Sequence, residues 1–143
     1  MTFEEKKAYL KRYRQIKHEV DSLAQERAEI MALGTKVTQT FSDMPHGGGN
    51  PGVAGVVERL AAHDAKMGER MQELLAVKAE IETCIDTVTD GTLHTILWYR
   101  YINGLTFEKI AAELHYSWRQ VMRLHKKAVK DINVIECHIA PVI

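Results

Sequence analysis

The chain has 143 residues, a length that fits one domain or two very small ones and excludes a large multidomain enzyme. Its 19 Lys and Arg residues balance its 19 Asp and Glu residues, so no overall charge indicates a nucleic-acid or acidic partner. Hydrophobic residues make up 45% and charged residues 27% of the chain, which excludes general disorder and is typical of a globular or coiled-coil protein.

The first predicted element is a long helix from Thr2 to Leu33. This segment contains no Gly or Pro, and Thr2 and Glu5 have the spacing of a capping box. Apolar residues recur at alternating steps of four and three, with Arg27 as the single polar member of the series. The apolar members are Tyr9, Tyr13, Ile16, Val20, Leu23 and Ile30. A seam this narrow is typical of a coiled coil.

A second long helix is predicted from Val53 to Val88. It carries the same alternation, which Asp64 and Lys78 interrupt. Because helices of this length are too long for a compact bundle of this mass, we expect the two helices to pair as an antiparallel hairpin. The apolar positions of the second seam are Val57, Leu60, Met67, Met71, Leu74, Ile81, Ile85 and Val88.

A connector rich in Gly and Pro, residues 34–52, separates the two long helices. Because this composition interrupts helices, we expect a loop here, with Lys36 to Phe41 extended. Gly47, Gly49 and Gly52 match the dinucleotide-binding spacing G-x-G-x-x-G. No buried strand directly precedes them, so the pattern indicates a turn-rich connector and not a nucleotide site.

Three short helices are predicted in the last third of the chain. The first spans Thr92 to Ile102, with an N-cap expected near Asp90, and ends before Gly104, a residue type that commonly terminates helices. The second runs from Phe107 to Leu114 behind an N-cap at Thr106, and the third begins after an N-cap at Ser117. The turn between the second and third helices is short, so the pattern predicts a helix-turn-helix.

The residues around Ala111 fit this interpretation, because two helices that cross steeply need a small residue at the crossing. The apolar residues expected around it are Ile110, Leu114, Tyr116, Val121 and Leu124. The sequence therefore predicts an all-α fold: a long antiparallel helical hairpin, a coiled coil, in residues 1–89, followed by a helix-turn-helix domain in residues 90–143. The apolar tail after Ile132 is expected to pack on the hairpin or on a partner subunit.

The third short helix contains the strongest local charge. Residues 115–130 hold five Lys and Arg residues and no Asp or Glu, with His115 and His125 in addition. Arg and Gln suit base edges in the major groove, and Lys suits phosphates. We therefore expect a recognition helix over residues 118–131. The expected base contacts are Trp118, Arg119, Gln120 and Arg123, and the expected phosphate contacts are Thr106, Ser117, Lys126, Lys127 and Lys130. Trp118 either contacts the groove or packs on Tyr116, whereas Trp98 is expected in the core.

The segment Gly104 to Val121, GLTFEKIAAELHYSWRQV, resembles the helix-turn-helix of region 4 in sigma-70-type factors. With the coiled-coil first half and Ser42-Asp43-Met44-Pro45 before the glycine run, the chain is similar to small prophage proteins of Gram-positive bacteria. These proteins are related to the ArpU/RinA-type phage late transcription regulators. The resemblance implies sequence-specific binding of phage promoter DNA and contact with host RNA polymerase. Trp118 and Arg119 stand where region 4 usually has Arg and Glu, so the base preference should differ.

Three functions remain open from the sequence. The first is a phage transcription regulator that binds double-stranded DNA and forms a homo-oligomer, most simply a dimer, through its coiled coil. The second is a small terminase-like DNA-packaging protein, for which a ring of many subunits is expected. The third is an interaction protein that binds RNA polymerase and does not bind DNA directly.

Catalysis and cofactor chemistry are not expected. The sequence offers no set of nucleophile, base and orienting group, no C-x-x-C pair and no histidines at metal-ligand spacing, so we expect neither an enzyme nor a cofactor nor a metal. It also has neither a signal peptide nor an apolar run long enough to span a bilayer, which predicts a cytoplasmic protein that does not enter the membrane.

Overall fold

The computed structural model describes residues 1–41 and 51–134, with side chains for 1–35 and 54–134. Every regular element in these ranges is helical, so the predicted all-α class is confirmed. The elements are α1 (Phe3–Phe41), α2 (Pro51–Asp86), α3 (Gly91–Leu97), a π-helical segment that continues α3 (Trp98–Ile102), α4 (Phe107–Leu114) and α5 (Trp118–Asp131). In the same ranges, no helix has the length and apolar character to cross a bilayer.

The N-terminal cap of α1 forms as predicted. The Thr2 backbone N–H donates to Glu5 Oε2 at 2.6 Å, and the Glu5 backbone N–H donates to Thr2 Oγ1 at 3.3 Å. Hydrogen bonding of the Glu5 carboxylate to the backbone and the side chain of Thr2 lowers the pKa of this carboxyl group. The capping box therefore satisfies two backbone donors that the first turn of a helix leaves without partners.

The predicted connector 34–52 is wrong at both ends, because residues 34–41 continue α1 as helix and Pro51 already begins α2. Gly34 lies inside α1, where a Cβ atom would come within 2.9 Å of Val56 Cγ1. Glycine thus lets α1 and α2 approach closely, and this packing outweighs the roughly 1 kcal/mol that glycine costs in a helix. Pro51 is tolerated because the first helical residue needs no N–H partner. Most of the glycine-rich motif, in residues 42–50, lies outside the described residues.

The chain groups into two compact units. The first unit contains Met1–Ile16 together with residues 74–134, and the second contains Lys17–Glu73. Each unit includes part of both α1 and α2. The first unit thus joins the ends of the long helices to the three short helices that follow. The domain boundary proposed near residue 89 stays a prediction.

Within the second unit, α1 and α2 pair in opposite directions, as the predicted hairpin requires. Arg27 Nε lies 2.7 Å from Asp64 Oδ1, and Arg70 Nε lies 3.3 Å from Glu19 Oε2. Partner numbers on α2 rise as those on α1 fall, so the pairing is antiparallel. Arg27 and Asp64 are polar positions in the two predicted apolar seams, and their ion pair shows that these two positions face each other.

The apolar seam of the second unit is only partly covered. Val20 and Leu23 are buried as predicted, but Val57 and Met71 are 59% and 42% exposed, so their assignment to a buried seam is wrong. Met31 and Leu33 are also exposed. Two helices can bury only one stripe on each other, so apolar residues beside that stripe stay in contact with water.

In the first unit, the same seam is well buried. Its buried members are Tyr9, Tyr13, Ile16, Leu74, Ile81, Ile85 and Val88. Arg12 Nη2 lies 2.5 Å from Glu80 Oε2, and the Arg12 guanidinium stacks over the Tyr9 ring at 4.4 Å. The α1 and α2 segments of this unit are therefore held by apolar burial together with a half-exposed ion pair.

The three short helices of the first unit form the predicted helix-turn-helix. Its core consists of Ile110 and Ala111 from α4, Val121 from α5 and Ile96 from α3. The predicted apolar set around Ala111 is confirmed, since Leu114, Tyr116 and Leu124 pack against this core. Leu105, Phe107 and Tyr99 pack there too. The contribution of Ile96 makes α3 the third helix of the motif.

The predicted helix over Thr92 to Ile102 changes type along its length. Asp90 caps α3 as expected, accepting a hydrogen bond from the Leu93 N–H at 3.0 Å. After Leu97 the backbone widens into a π-helical turn, which ends with the Asn103 N–H donating to the Trp98 carbonyl oxygen at 3.1 Å. This wider turn places Tyr101 and Ile102 in the core.

Candidate nucleic-acid interface

Local sequence signals fix the residues at which α4 and α5 begin. The Thr106 hydroxyl accepts a hydrogen bond from the Lys109 N–H at 3.3 Å, and the Ser117 hydroxyl accepts one from the Gln120 N–H at 3.2 Å. Both predicted N-caps are thus confirmed. Each hydroxyl is exposed and keeps its own O–H to donate, which is what a phosphate oxygen would accept.

His115 makes the reversal between α4 and α5 in a left-handed conformation, with φ of 57° and ψ of 38°. This region costs a non-glycine residue about 1–2 kcal/mol, although His enters it more readily than most. The Tyr116 N–H donates to the Ala111 carbonyl oxygen at 3.0 Å, which closes the end of α4. The turn therefore aims the first residue of α5 away from the motif core.

One face of α5 is buried and the other is open to solvent. Val121, His125, Ala128 and Val129 form the buried face. The exposed side chains are those of Trp118, Arg119, Arg123, Lys126, Lys127 and Lys130, and Gln120 is half-buried. The structure thus brings Trp118, both arginines and the three lysines onto the solvent side of one helix, with Gln120 partly covered. Ser117 is exposed at the start of α5, and Thr106 is exposed at the start of α4.

The five cations of this face have no acidic neighbours at salt-bridge distance among residues 1–35 and 54–134. Every ion pair among the described residues joins side chains of α1, α2 and α3. Helix α5 has one acidic residue, Asp131, at its last position. The positive charge along α5 is therefore not neutralised within the described protein.

His125 lies within the basic segment 115–130 of the sequence but does not belong to the exposed basic face. Its side chain is 3% exposed, and its Nε2 atom lies 2.7 Å from the Tyr101 hydroxyl oxygen. The Phe107 ring meets the imidazole edge to face at 4.9 Å between centroids. Burial, aided by the charges of Arg100 and nearby lysines, lowers the pKa of His125 to about 4. The neutral imidazole thus anchors α5 to the π-helical segment and to α4.

One of the two tryptophans, Trp98, does not lie where the sequence predicts it. Trp118 is 50% exposed at the start of α5, which leaves half of its ring open to a ligand. Trp98 was expected in the core, but it is half-buried and stacks on His94 at 6.2 Å between ring centroids. The core position is taken by Tyr101, which the π-helical turn directs inward.

The structure adds basic residues that sequence spacing could not associate with α5. Lys7, Lys11 and Arg100 line a groove of about 530 Å³ that Arg123 and Lys126 of α5 also line. Lys7 and Arg123 are more than a hundred positions apart, so only the packing of α1 in the first unit reveals this proximity. Within residues 1–41 and 51–134, no cluster of three or more His, Cys, Asp or Glu side chains could hold a metal ion.

The comparisons with known proteins identify a family without assigning an activity. No curated protein and no solved structure matches the chain. A family model described as "Protein of unknown function (DUF1492)" matches residues 35–133, which is more than half of the chain. The matched range includes α2 and all the helices that follow it. The chain therefore belongs to the DUF1492 family.

Proposed function

We propose that this protein binds double-stranded DNA through α5 and acts as a phage or prophage transcription regulator. One observation carries the proposal: five cations that have no acidic partner in the described part of the chain lie on the exposed face of a helix whose other face is packed into a helix-turn-helix. In such motifs the second helix enters the major groove, and its first turns contact base edges. The likeness to sigma-70 region 4 and to ArpU/RinA-type regulators agrees with this assignment.

The order of residues along α5 suits the two kinds of contact. Arg119, Gln120 and Arg123 lie in the first two turns, where side chains reach base edges. Lys126, Lys127 and Lys130 follow in the last turns, where a helix leaves the groove and meets phosphates. From Arg119 to Lys130 the basic face is about 16 Å long at 1.5 Å per residue.

Oligomerisation through the hairpin completes the proposal. Met31, Leu33, Val57 and Met71 expose apolar surface within the second unit, and a second copy of the chain would cover it. A dimer would present two copies of α5 to paired half-sites and gain affinity because the second contact is intramolecular. Light scattering should find a dimer. A large ring would favour DNA packaging over transcription regulation.

The salt dependence of binding tests the charge argument. If three to five phosphates are neutralised, log affinity for duplex DNA should fall with log salt with a slope of about −3 to −4.5. Replacing Lys126 and Lys127 by Ala should reduce the slope by about 2 and weaken all sequences alike. The measurement is fluorescence anisotropy with a labelled duplex. Lys17 and Lys66, in the second unit, provide a charge-matched Ala control that should keep the wild-type slope.

A slope near zero for the wild-type chain would contradict the proposal. Equal losses of affinity in the α5 variant and in the Lys17 and Lys66 control would also contradict it. Such a result would show that DNA responds to total charge and not to a particular binding face. If the chain captures purified RNA polymerase while duplex DNA shows no binding, the interaction-protein function would replace the one proposed.

A further inference from the structure

A cationic groove extends the charged surface of α5 toward the first turns of α1. Its volume is about 530 Å³, and all of its lining residues belong to the first unit. The cations along it are Lys7 and Lys11 from α1, Arg100 from the π-helical segment, and Arg123 and Lys126 from α5. Among the described residues that line it, Glu4 is the one acidic residue. Because these five cations outnumber the single carboxylate, the groove is strongly positive at neutral pH, although buried His125 adds no charge there.

The α1 side of this groove is fixed to α5 by direct hydrogen bonds. Lys6 Nζ donates to the backbone carbonyl oxygens of Lys130 and Ile132, each at 2.8 Å. A lysine at a helix C-terminus satisfies carbonyl groups that the helix leaves free and interacts favourably with the helix dipole. Lys7 and Lys11 are four positions apart, so they lie on one face of α1. Their placement beside α5 is thus built into the fold.

Arg100 is held at the same groove by two contacts. Its Nη1 donates to the Leu105 carbonyl oxygen at 3.1 Å, and its guanidinium lies over the Phe107 ring at 4.3 Å. The charges of Arg100, Lys7 and Lys11 all contribute to the lowered pKa of His125, after the larger effect of burial. These three cations therefore all act on the same buried imidazole, which lines the groove with them.

We propose that Lys7 and Lys11 extend the DNA-binding surface onto α1, where they bind phosphates of the strand beside the groove that α5 enters. This inference depends on the proposed function, because it requires α5 to lie on a duplex. Arg123 and Lys126 belong both to the face of α5 and to the groove, so a strand that contacts them passes directly to Lys7 and Lys11. Phosphate contacts of this kind fix position and affinity without reading sequence.

The test compares the full-length chain with a Lys7→Gln/Lys11→Gln variant. At about 0.1 M salt the variant should bind every duplex at least about tenfold more weakly, and its slope of log affinity against log salt should be smaller by about 2. Its preference for target over scrambled DNA should stay unchanged. The Lys7→Arg/Lys11→Arg variant keeps both charges and should bind like the wild type. A Lys17→Gln/Lys66→Gln variant controls for total charge.

Removing the negative charge of Glu4 should have the opposite effect on DNA binding and provides an independent test. Its carboxylate lies 3.6 Å from Lys7 Nζ and is well exposed, so Glu4→Gln should strengthen duplex binding several-fold without affecting folding. Unchanged affinity and slope in the Lys7→Gln/Lys11→Gln variant, with a wild type that binds DNA, would overturn this inference alone. A wild type that binds no duplex would overturn both this inference and the proposed function.

Discussion

Replacing Arg119 and Arg123 by Ala should remove most of the preference of this protein for its target sequence. A well-placed Arg contact to a base edge contributes about 1–3 kcal/mol of discrimination, so losing two should reduce the ratio of target to scrambled affinity by about 30-fold or more. Both side chains are exposed on α5, and α5 is anchored by its opposite face. The fold should therefore tolerate the change, with a melting temperature close to that of the wild type.

The target for this comparison is obtained by selecting bound fragments from genomic DNA. Affinities of wild type and variant are then measured on the selected duplex and on a scrambled duplex of the same length and composition. The Lys126→Ala/Lys127→Ala variant provides the matched control, since it removes two charges from the same face and should weaken both duplexes equally. An Arg119→Ala/Arg123→Ala variant that keeps the full preference would remove the recognition-helix assignment.

Acidification from pH 7 to pH 4.5 should lower the free energy of unfolding by about 2–3 kcal/mol through His125 alone. In the unfolded chain its imidazole has a pKa near the ordinary value of 6.5, whereas burial lowers the folded value to about 4. Between these values the unfolded state binds the proton and the folded state does not. The stabilisation is therefore complete above about pH 6.5 and is lost as the pH falls toward 4.

Chemical denaturation of wild type and His125→Gln across this pH range measures the contribution. Gln can still form a hydrogen bond with the Tyr101 hydroxyl but does not titrate. Between pH 7 and pH 4.5 the free energy of unfolding of the His125→Gln variant should therefore fall by about 2–3 kcal/mol less than that of the wild type. Carboxylates such as Glu5 and Asp64, whose pKa values are lowered by hydrogen bonds, affect both proteins equally. Parallel curves for the two proteins would show that His125 titrates at its ordinary pKa in the folded state.

The features predicted best from the sequence depend on short-range chemistry. The N-caps at Asp90, Thr106 and Ser117 each need only a side-chain oxygen and an N–H three positions later, so the sequence specifies them fully. The first residues of α4 and α5 follow from the caps at Thr106 and Ser117. The left-handed turn at His115 is likewise local, because the short spacing between the two helices requires it.

The features that the sequence did not predict depend on tertiary contacts. Gly34 indicates a helix end by composition, but its approach to Val56 makes it a packing residue inside α1. His125 lies within a basic segment, and only the contacts with Tyr101 and Phe107 reveal a buried neutral group. No local pattern distinguishes the π-helical turn, which places Tyr101 in the core, from ordinary helix.

The candidate site shows the same division. Its α5 residues are contiguous and carry a charge pattern visible in one helix length, so the sequence was sufficient to select them. Lys7 and Lys11 are distant in sequence and join the site through the Lys6 hydrogen bonds to the end of α5. To predict that Lys7 and Lys11 belong to the site, one must know that the first turns of α1 pack against the short helices of the first unit.

The most direct test of the central claim is an NMR titration of the ¹⁵N-labelled full-length chain with its selected duplex. If α5 lies along the DNA, the amide signals of residues 117–130 should shift most, and those of Lys7 and Lys11 should shift less. Signals from the α1 and α2 segments in the second unit should change little on DNA addition. A duplex that binds but leaves the α5 signals unmoved, or shifts only those of the second unit, would contradict the account.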